Sequence, residues 1–296
     1  MSACLLAIIN VWRMMQCGSN HTAADDYGAF KLSIFSFISL DNKLRYCNHN
    51  NLICLIGTDR ILYHDSSNKR SNSIIRANVK NLNPSRLLRI VWVKKLLINL
   101  SNFISSVLYM DMDTIIMRVN DQTIFRLLKL FDSAQIFISS DIEPFQDRFQ
   151  TGVVLFRQHP QTQELLRYFY EESIANINFL GSTSNKRFES DQYLFNKHIR
   201  CKPNTSIDQI VEKFGFENRL QTCRVINIGY SGIAPPQKPI LIMNISRSIY
   251  NAFPSHSDPW SQMGLPSGDE QEDSFIVHFA GLELYQESTI TIVIKF

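Results

Sequence analysis

The 296-residue sequence contains no Cys-x-x-Cys pair, no long basic run and no internal repeat. It also has no apolar stretch approaching the ~20 residues that span a bilayer. Each absence removes a class. Six cysteines (Cys4, Cys17, Cys47, Cys54, Cys201, Cys223) scattered without paired spacing exclude a zinc-finger or zinc-ribbon architecture, and they leave disulfide pairing undecidable. A net charge of only +3, with no basic segment interleaved with aromatics, gives no case for a nucleic-acid partner. The longest N-terminal apolar stretch, Ala3 to Val11, ends at Trp12-Arg13 and has no basic residue before it. It is a poor signal-peptide core, so residues 1–29 are expected to form a loosely packed tail. Sequons at Asn20, Asn99, Asn204 and Asn244 arise readily in a chain rich in Asn and Ser, and do not establish secretion. What remains is an ordinary globular balance, 45% hydrophobic and 19% charged, in a chain long enough to bury a core.

Strand and helix patterns alternate along the first two-thirds of the chain. Lys31 to Leu40 is apolar and β-rich and is expected to be the first strand; Leu44 to Asn50 reads as a short helix or turn, and Leu52 to Gly57 as a second buried strand. Leu87, Leu88, Val91, Leu96 and Leu97 share one helical face between Pro84 and Leu100. Val107 to Met110 reads as a strand, Asp121 can cap a helix through Leu130, and Ala134 to Ser139 and Val153 to Phe156 read as further strands. Pro160 opens a helix through about Ile174, and Asp191 to Ile199 reads as a short amphipathic helix. Arg224 to Ile228 and Phe275 to Phe279 are later strands, with loops over Gly229 to Pro239 and Asn251 to Glu272. The alternation indicates an α/β sandwich, in which ligand sites lie at the carboxyl ends of strands.

One such end carries chemistry. The peptide Val107-Leu108-Tyr109-Met110-Asp111-Met112-Asp113-Thr114-Ile115-Ile116 runs apolar, meets two carboxylates separated by one residue, and turns apolar again. Positions i and i+2 of a strand share a face. Two carboxylates there repel each other and resist desolvation, and a divalent cation with oxygen ligands relieves both costs. The bland alternative is a strand that ends in an acidic turn.

Two chemistries use such a pair. In haloacid-dehalogenase-like phosphatases, which the peptide resembles loosely, Asp111 would be a nucleophile and Asp113 an acid/base. Ile136 to Ser140 would imitate the second motif, and Gly268-Asp269 with Asp273 the metal-binding one. Context opposes this. The residues before Gly268 read as a loop, and a long α/β segment precedes Asp111, whereas that nucleophile sits on the first strand.

The second chemistry is glycosyl transfer. Five segments in order carry a resemblance: Trp92-Val93-Lys94, the Asp111/Asp113 pair, Gln150-Thr151-Gly152 through Arg157, Asp191-Gln192, and His278-Phe279-Ala280-Gly281. From about Lys31 to Gly281 the chain resembles GT-A fold glycosyltransferases, especially the retaining families related to glycogenin and to the α-galactosyl and xylosyl transferases. It departs from them at Gln150, where Asn is usual, and after Gly281, where the Lys-Pro-Trp of glycogenin-like members is absent.

The resemblance implies a GT-A domain over residues 30–296, a Rossmann-like α/β/α sandwich with a mixed central sheet. It implies Mn²⁺, or Mg²⁺, held by Asp111, Asp113 and His278. Donor binding would fall to Lys94, Asp111, Met112, Asp113, Gln150, Gly152 and Gly281, and Asp191 and Gln192 would act at the reacting sugar. The expected partners are a nucleotide-sugar donor and a glycan or glycoprotein acceptor, in the Golgi or secretory lumen, with membrane association left open. Plainer roles stand beside these: a core histidine for His278, a solvated helix face for Lys94, an N-cap for Asp191 and a strand-entry glycine for Gly152. A degenerate, metal-free relative that only binds glycan is the non-enzymatic alternative.

Overall fold

The computed structural model describes residues 6–12, 38–58, 90, 93–94, 96–99, 101–111, 113–141, 148–180, 191–203, 219–226, 231–254 and 272–279. Eight strands form one sheet: β1 Leu6–Trp12, β2 Ile53–Thr58, β3 Ser106–Met110, β5 Ile136–Ser140, β6 Phe149–Arg157, β7 Ile199–Pro203, β8 Arg219–Val225 and β9 Ile240–Ile245, in the order β2-β1-β3-β6-β5-β9-β8-β7. β1 runs parallel to β2 and β3, and β5 parallel to β9, while β6 is antiparallel to both its neighbours. β4 Thr114–Ile116 and β10 Ile276–His278 form a small antiparallel second sheet.

Strand alternation builds two cores. Val107, Tyr109, Ile136, Ile138, Val154 and Phe156 point to one face. They meet α2 (helical at its described positions 90, 93–94 and 96–99), α4 Pro160–Leu180 and α5 Asp191–His198. Leu108, Met110, Phe137, Val153 and Leu155 point to the other face. They meet α1 (residues 38–49), α3 Thr123–Leu130 and α6 Arg247–Tyr250. The period of two on buried central strands thus yields the α/β/α sandwich with a mixed sheet that the GT-A resemblance implies. All five residues of β3 are buried, so the strand is held from both sides up to Met110.

Several expectations change. The stretch assigned to an N-terminal tail contains β1, which sits between β2 and β3 in the sheet. The strand expected over Lys31 to Leu40 does not hold at its end, because residues 38–40 begin α1; residues 31–37 lie outside the described residues. The strand expected over Arg224 to Ile228 lies earlier, at β8. β4, β7 and β9 were not expected, and Pro160 opens a helix that runs on to Leu180. The N-cap of α3 is Gln122, with no side-chain capping bond, so Asp121 is not the cap; from the position before it, its carboxylate accepts from the Thr123 N–H at 2.7 Å. Cys201 and Cys223 face each other across β7 and β8 and form a disulfide. Among the described residues no helix is long and apolar enough to cross a membrane.

Candidate metal site at the carboxyl end of the central strand

β3 delivers Asp111 to the carboxyl edge of the sheet, and the chain then reverses into β4. β10 pairs with β4 so that His278 lies opposite Thr114, and the Phe279 N–H donates to the Asp113 carbonyl at 2.8 Å. Register therefore brings His278 beside both carboxylates across more than half the sequence. His278 Nε2 lies 3.2 Å from Asp113 Oδ1 and 3.8 Å from Asp111 Oδ2, and one ligand atom from each of the three residues falls within 4.8 Å of the others. Cis ligands of an octahedral ion, each at ~2.1 Å, lie about 3 Å apart. Two carboxylates and an imidazole at this spacing fit a hard-to-borderline dication, and the imidazole favours Mn²⁺ over Mg²⁺.

Supporting groups hold Asp111 and His278. The Tyr109 hydroxyl, two residues back on the same strand face, donates to Asp111 Oδ1 at 2.7 Å. The buried His278 ring stacks on buried Phe253, with centroids 5.7 Å apart and planes inclined by 18°. Gly152 also lies against the ring: a Cβ there would sit 2.2 Å from His278 Cε1 and 2.4 Å from Nδ1. Gly152 is also tied to the site through its carbonyl, which accepts from the Asp111 N–H at 2.8 Å. Its observed role is to admit the imidazole.

Beneath the turn lies Lys43 of α1, fully buried. Its Nζ donates to the carbonyls of Asp111 and Thr114 at 2.9 and 3.0 Å and to Ser39 Oγ. Burial pulls its ammonium down to about 7, against the opposing pull of Asp113, Asp111 and Cys54.

The other expected site residues are placed as follows. Gln150 is buried and folds back, its Oε1 accepting from the Gly152 N–H at 3.1 Å, so it supports its own strand. Gln192 donates through Nε2 to Asp141 Oδ2 at 2.8 Å. Asp141 follows β5 as Asp111 follows β3, and both strands run antiparallel to β6, so the two carboxylates share one edge of the sheet. Asp191 is the first residue of α5. Lys94 Nζ lies over the Tyr170 ring, 4.2 Å from its centroid. Arg157 donates to the carbonyls of Ala134, Leu128 and Phe131 at 2.8–3.1 Å, and so closes the end of α3. Met112, Gly281, Trp92 and the Gly268-Asp269 segment lie outside the described residues.

The sequence reading missed Tyr109, Asp141, Phe253 and the polar face of α1. Two of these carried a usable signal: Tyr109 is two residues from Asp111, and Phe137-Ile138-Ser139-Ser140-Asp141 repeats the pattern of an apolar run ending in a carboxylate.

No protein-family model and no curated protein matches the chain. Solved structures that resemble it include a glycosyltransferase involved in glycosylation of the major capsid of PBCV-1. That pair shares 8% identity over 94% of this chain and 93% of the other, with a TM-score of 0.42. Mouse xyloside xylosyltransferase 1, in its apo form, shares 11% identity over 94% and 98%, with a TM-score of 0.44. A197 from STIV shares 8% identity over 55% and 67%, with a TM-score of 0.25. Likeness at this level carries no functional inference; the carboxylate–imidazole geometry does.

Proposed function

We propose that the protein is a glycosyltransferase that moves a hexose or pentose from a UDP- or GDP-sugar to a hydroxyl of a glycan or glycoprotein. It would use Mn²⁺ and retain the anomeric configuration. The observation that carries this reading is the convergence of Asp111, Asp113 and His278, from two separate strands, at the carboxyl edge of a mixed α/β sheet. These residues would hold the ion, which when bound supplies Lewis acidity to a leaving diphosphate. In the transfer the bond from the anomeric carbon to the diphosphate oxygen breaks, the bond to the acceptor oxygen forms, and the acceptor hydroxyl's proton is taken up by the departing diphosphate.

Asp191 and Gln192 are assigned to the sugar, with Gln192 oriented by Asp141. Donor contacts are assigned to Lys94, Met112, Gln150, Gly152 and Gly281 together with the two carboxylates. For Gln150 and Gly152 the support is indirect, through the backbone that carries Asp111 and the space that holds His278. The Cys201–Cys223 disulfide supports an oxidising secretory compartment such as the Golgi lumen.

The phosphatase reading is disfavoured by topology, since β3 follows two strands among the described residues and lies between β1 and β6. It is also disfavoured by Tyr109, whose hydroxyl occupies a carboxylate oxygen of the supposed nucleophile. A panel of nucleotide sugars with Mn²⁺, scored for released UDP or GDP, tests the proposal. Release from one donor, abolished by EDTA and by Asp113→Ala, supports it. Failure to bind Mn²⁺ together with no release from any donor, or a beryllofluoride adduct on Asp111, sinks it.

A further inference from the structure

The helix that sequence reading mistook in part for a strand places three polar side chains, Ser39, Asn42 and Lys43, on one face at positions i, i+3 and i+4. All three grip the segment that carries the carboxylates. Ser39 Oγ donates to the Thr114 carbonyl at 2.9 Å. Asn42 pairs with both backbone groups of Ile116, accepting its N–H at 2.8 Å and donating to its carbonyl at 2.9 Å, as a neighbouring strand would. Lys43 donates to the carbonyls of Asp111 and Thr114, on either side of Asp113, and Thr114 Oγ1 closes the same loop by donating to the Asp111 carbonyl at 2.7 Å.

We propose that Ser39, Asn42 and Lys43 form a clamp that sets the position of the Asp111–Asp113 turn, with Lys43 as its principal positioning residue. The proposal rests on the reading of that turn as a metal site. The physical ground is one of donor supply. Between β3 and β4 the chain leaves the main sheet, and the Asp111 and Thr114 carbonyls take donors from α1. A lysine ammonium offers three donors at one point. Burying one is costly, and it is tolerated only where acceptors surround it. A plug that merely filled space here would need no charge and no convergent donors.

Positioning and charge make opposite predictions, which makes the idea testable. Mn²⁺ alone is titrated into wild-type protein, Lys43→Met, Asn42→Ala, Ser39→Ala and the control Arg45→Ala, with free Mn²⁺ read by electron paramagnetic resonance. Arg45 is exposed on the same helix, where it pairs with Asp41 at 2.8 Å. A clamp predicts that Lys43→Met raises the Mn²⁺ dissociation constant about ten- to a hundredfold. It also predicts that turnover lost at low Mn²⁺ is recovered at high Mn²⁺, and that Arg45→Ala changes neither. Unchanged affinity in a folded Lys43→Met overturns the proposal. Tighter binding overturns it as well, since removing a nearby cation would then be the whole effect.

Where Lys43→Met does not fold, Asn42→Ala and Ser39→Ala carry the test. Each is expected to weaken Mn²⁺ severalfold and to speed amide hydrogen exchange at residues 114–116 in metal-free protein; normal affinity with normal exchange refutes the clamp. A wild-type protein that binds no Mn²⁺ refutes the functional reading instead, and the exchange measurement then judges the clamp by itself.

Discussion

Replacing Gly152 by alanine is the sharpest probe of the site, because its sign is unusual. Among the described glycines the left-handed region is occupied by Gly232 and not by Gly152. On backbone grounds alone, Gly152→Ala would therefore stabilise the protein by roughly 0.4–1 kcal/mol. The site reverses this. The new Cβ would lie 2.2 Å from His278 Cε1, and carbon atoms in contact settle at roughly 3.5–4.0 Å. The ring must retreat by at least about 1.3 Å if the backbone stays in place. The backbone is pinned, with Gly152 O accepting from Asp111 at 2.8 Å and His278 N donating to Ala252 O at 2.7 Å. The ring is also backed by Phe253. Overpacking of this kind costs about 1–3 kcal/mol, which exceeds the backbone gain, so the net effect is destabilising.

A displaced imidazole no longer meets the carboxylates, so Mn²⁺ affinity falls by ten- to a hundredfold. Chemical denaturation and Mn²⁺ titration measure both effects. The cycle with His278→Ala isolates the contact: in that background Gly152→Ala loses its penalty and becomes neutral or stabilising. An equal penalty with and without His278, or intact Mn²⁺ binding in Gly152→Ala, refutes the geometry.

Metal and nucleotide binding should be coupled, so calorimetry is expected to show strong UDP binding with Mn²⁺ and weak binding in EDTA; equal affinity in both denies a metal bridge. Asp113→Ala, at a half-exposed carboxylate, should abolish most turnover while the melting temperature moves little, and a collapse of stability would recast Asp113 as structural. Arg157→Met strips donors from three carbonyls at the end of α3 and is expected to cost about 1–3 kcal/mol without altering Mn²⁺ affinity, whereas a loss of metal binding would return Arg157 to the site. Burial and, secondarily, Glu172 push the Tyr168 hydroxyl up to about 12. The unfolded chain releases that proton near 10 and the folded one later, so stability is full below about pH 10 and falls toward pH 12. Denaturation midpoints in Tyr168→Phe should lose part of that alkaline slope, and an unchanged slope assigns it to other tyrosines.

The parts of the fold legible in the sequence are those whose burial is apolar and local. β3 is buried throughout and β5 over its first four residues, both open as apolar runs, and Asp111 and Asp113 follow directly from where β3 stops. α1 failed for a definable reason. Its buried positions are Ser39, Lys43, Tyr46 and Cys47, a helical spacing in which two of four residues are polar. A hydrophobic pattern cannot reveal a face that is buried in order to donate hydrogen bonds. β1 failed for another reason: seven residues near a terminus look the same whether they pack as a strand or trail as a leader, and only pairing with β2 and β3 decides. β8 escapes an apolar count because only Leu220, Cys223 and Val225 are buried, while Gln221 and Thr222 are half-buried and Arg219 and Arg224 exposed.

The site shows a different kind of gap, between finding a residue and knowing what it does. Gln150, Gly152 and Arg157 belong to one segment of the resemblance. Each has a partner distant in sequence or folded back on its own strand: His278 for Gly152, the α3 carbonyls for Arg157, and the Gly152 N–H for Gln150. Spacing along the chain records that such residues are needed together, but not whom they touch, because β6 is antiparallel to both neighbours and its contacts are long-range. This explains how Gln could stand at position 150. A side chain turned back onto its own strand needs one acceptor oxygen, and Gln supplies it as Asn would, with one more methylene of reach. The departure at 150 is therefore a change in how the strand beneath His278 is braced, and it leaves Asp111, Asp113 and His278 together.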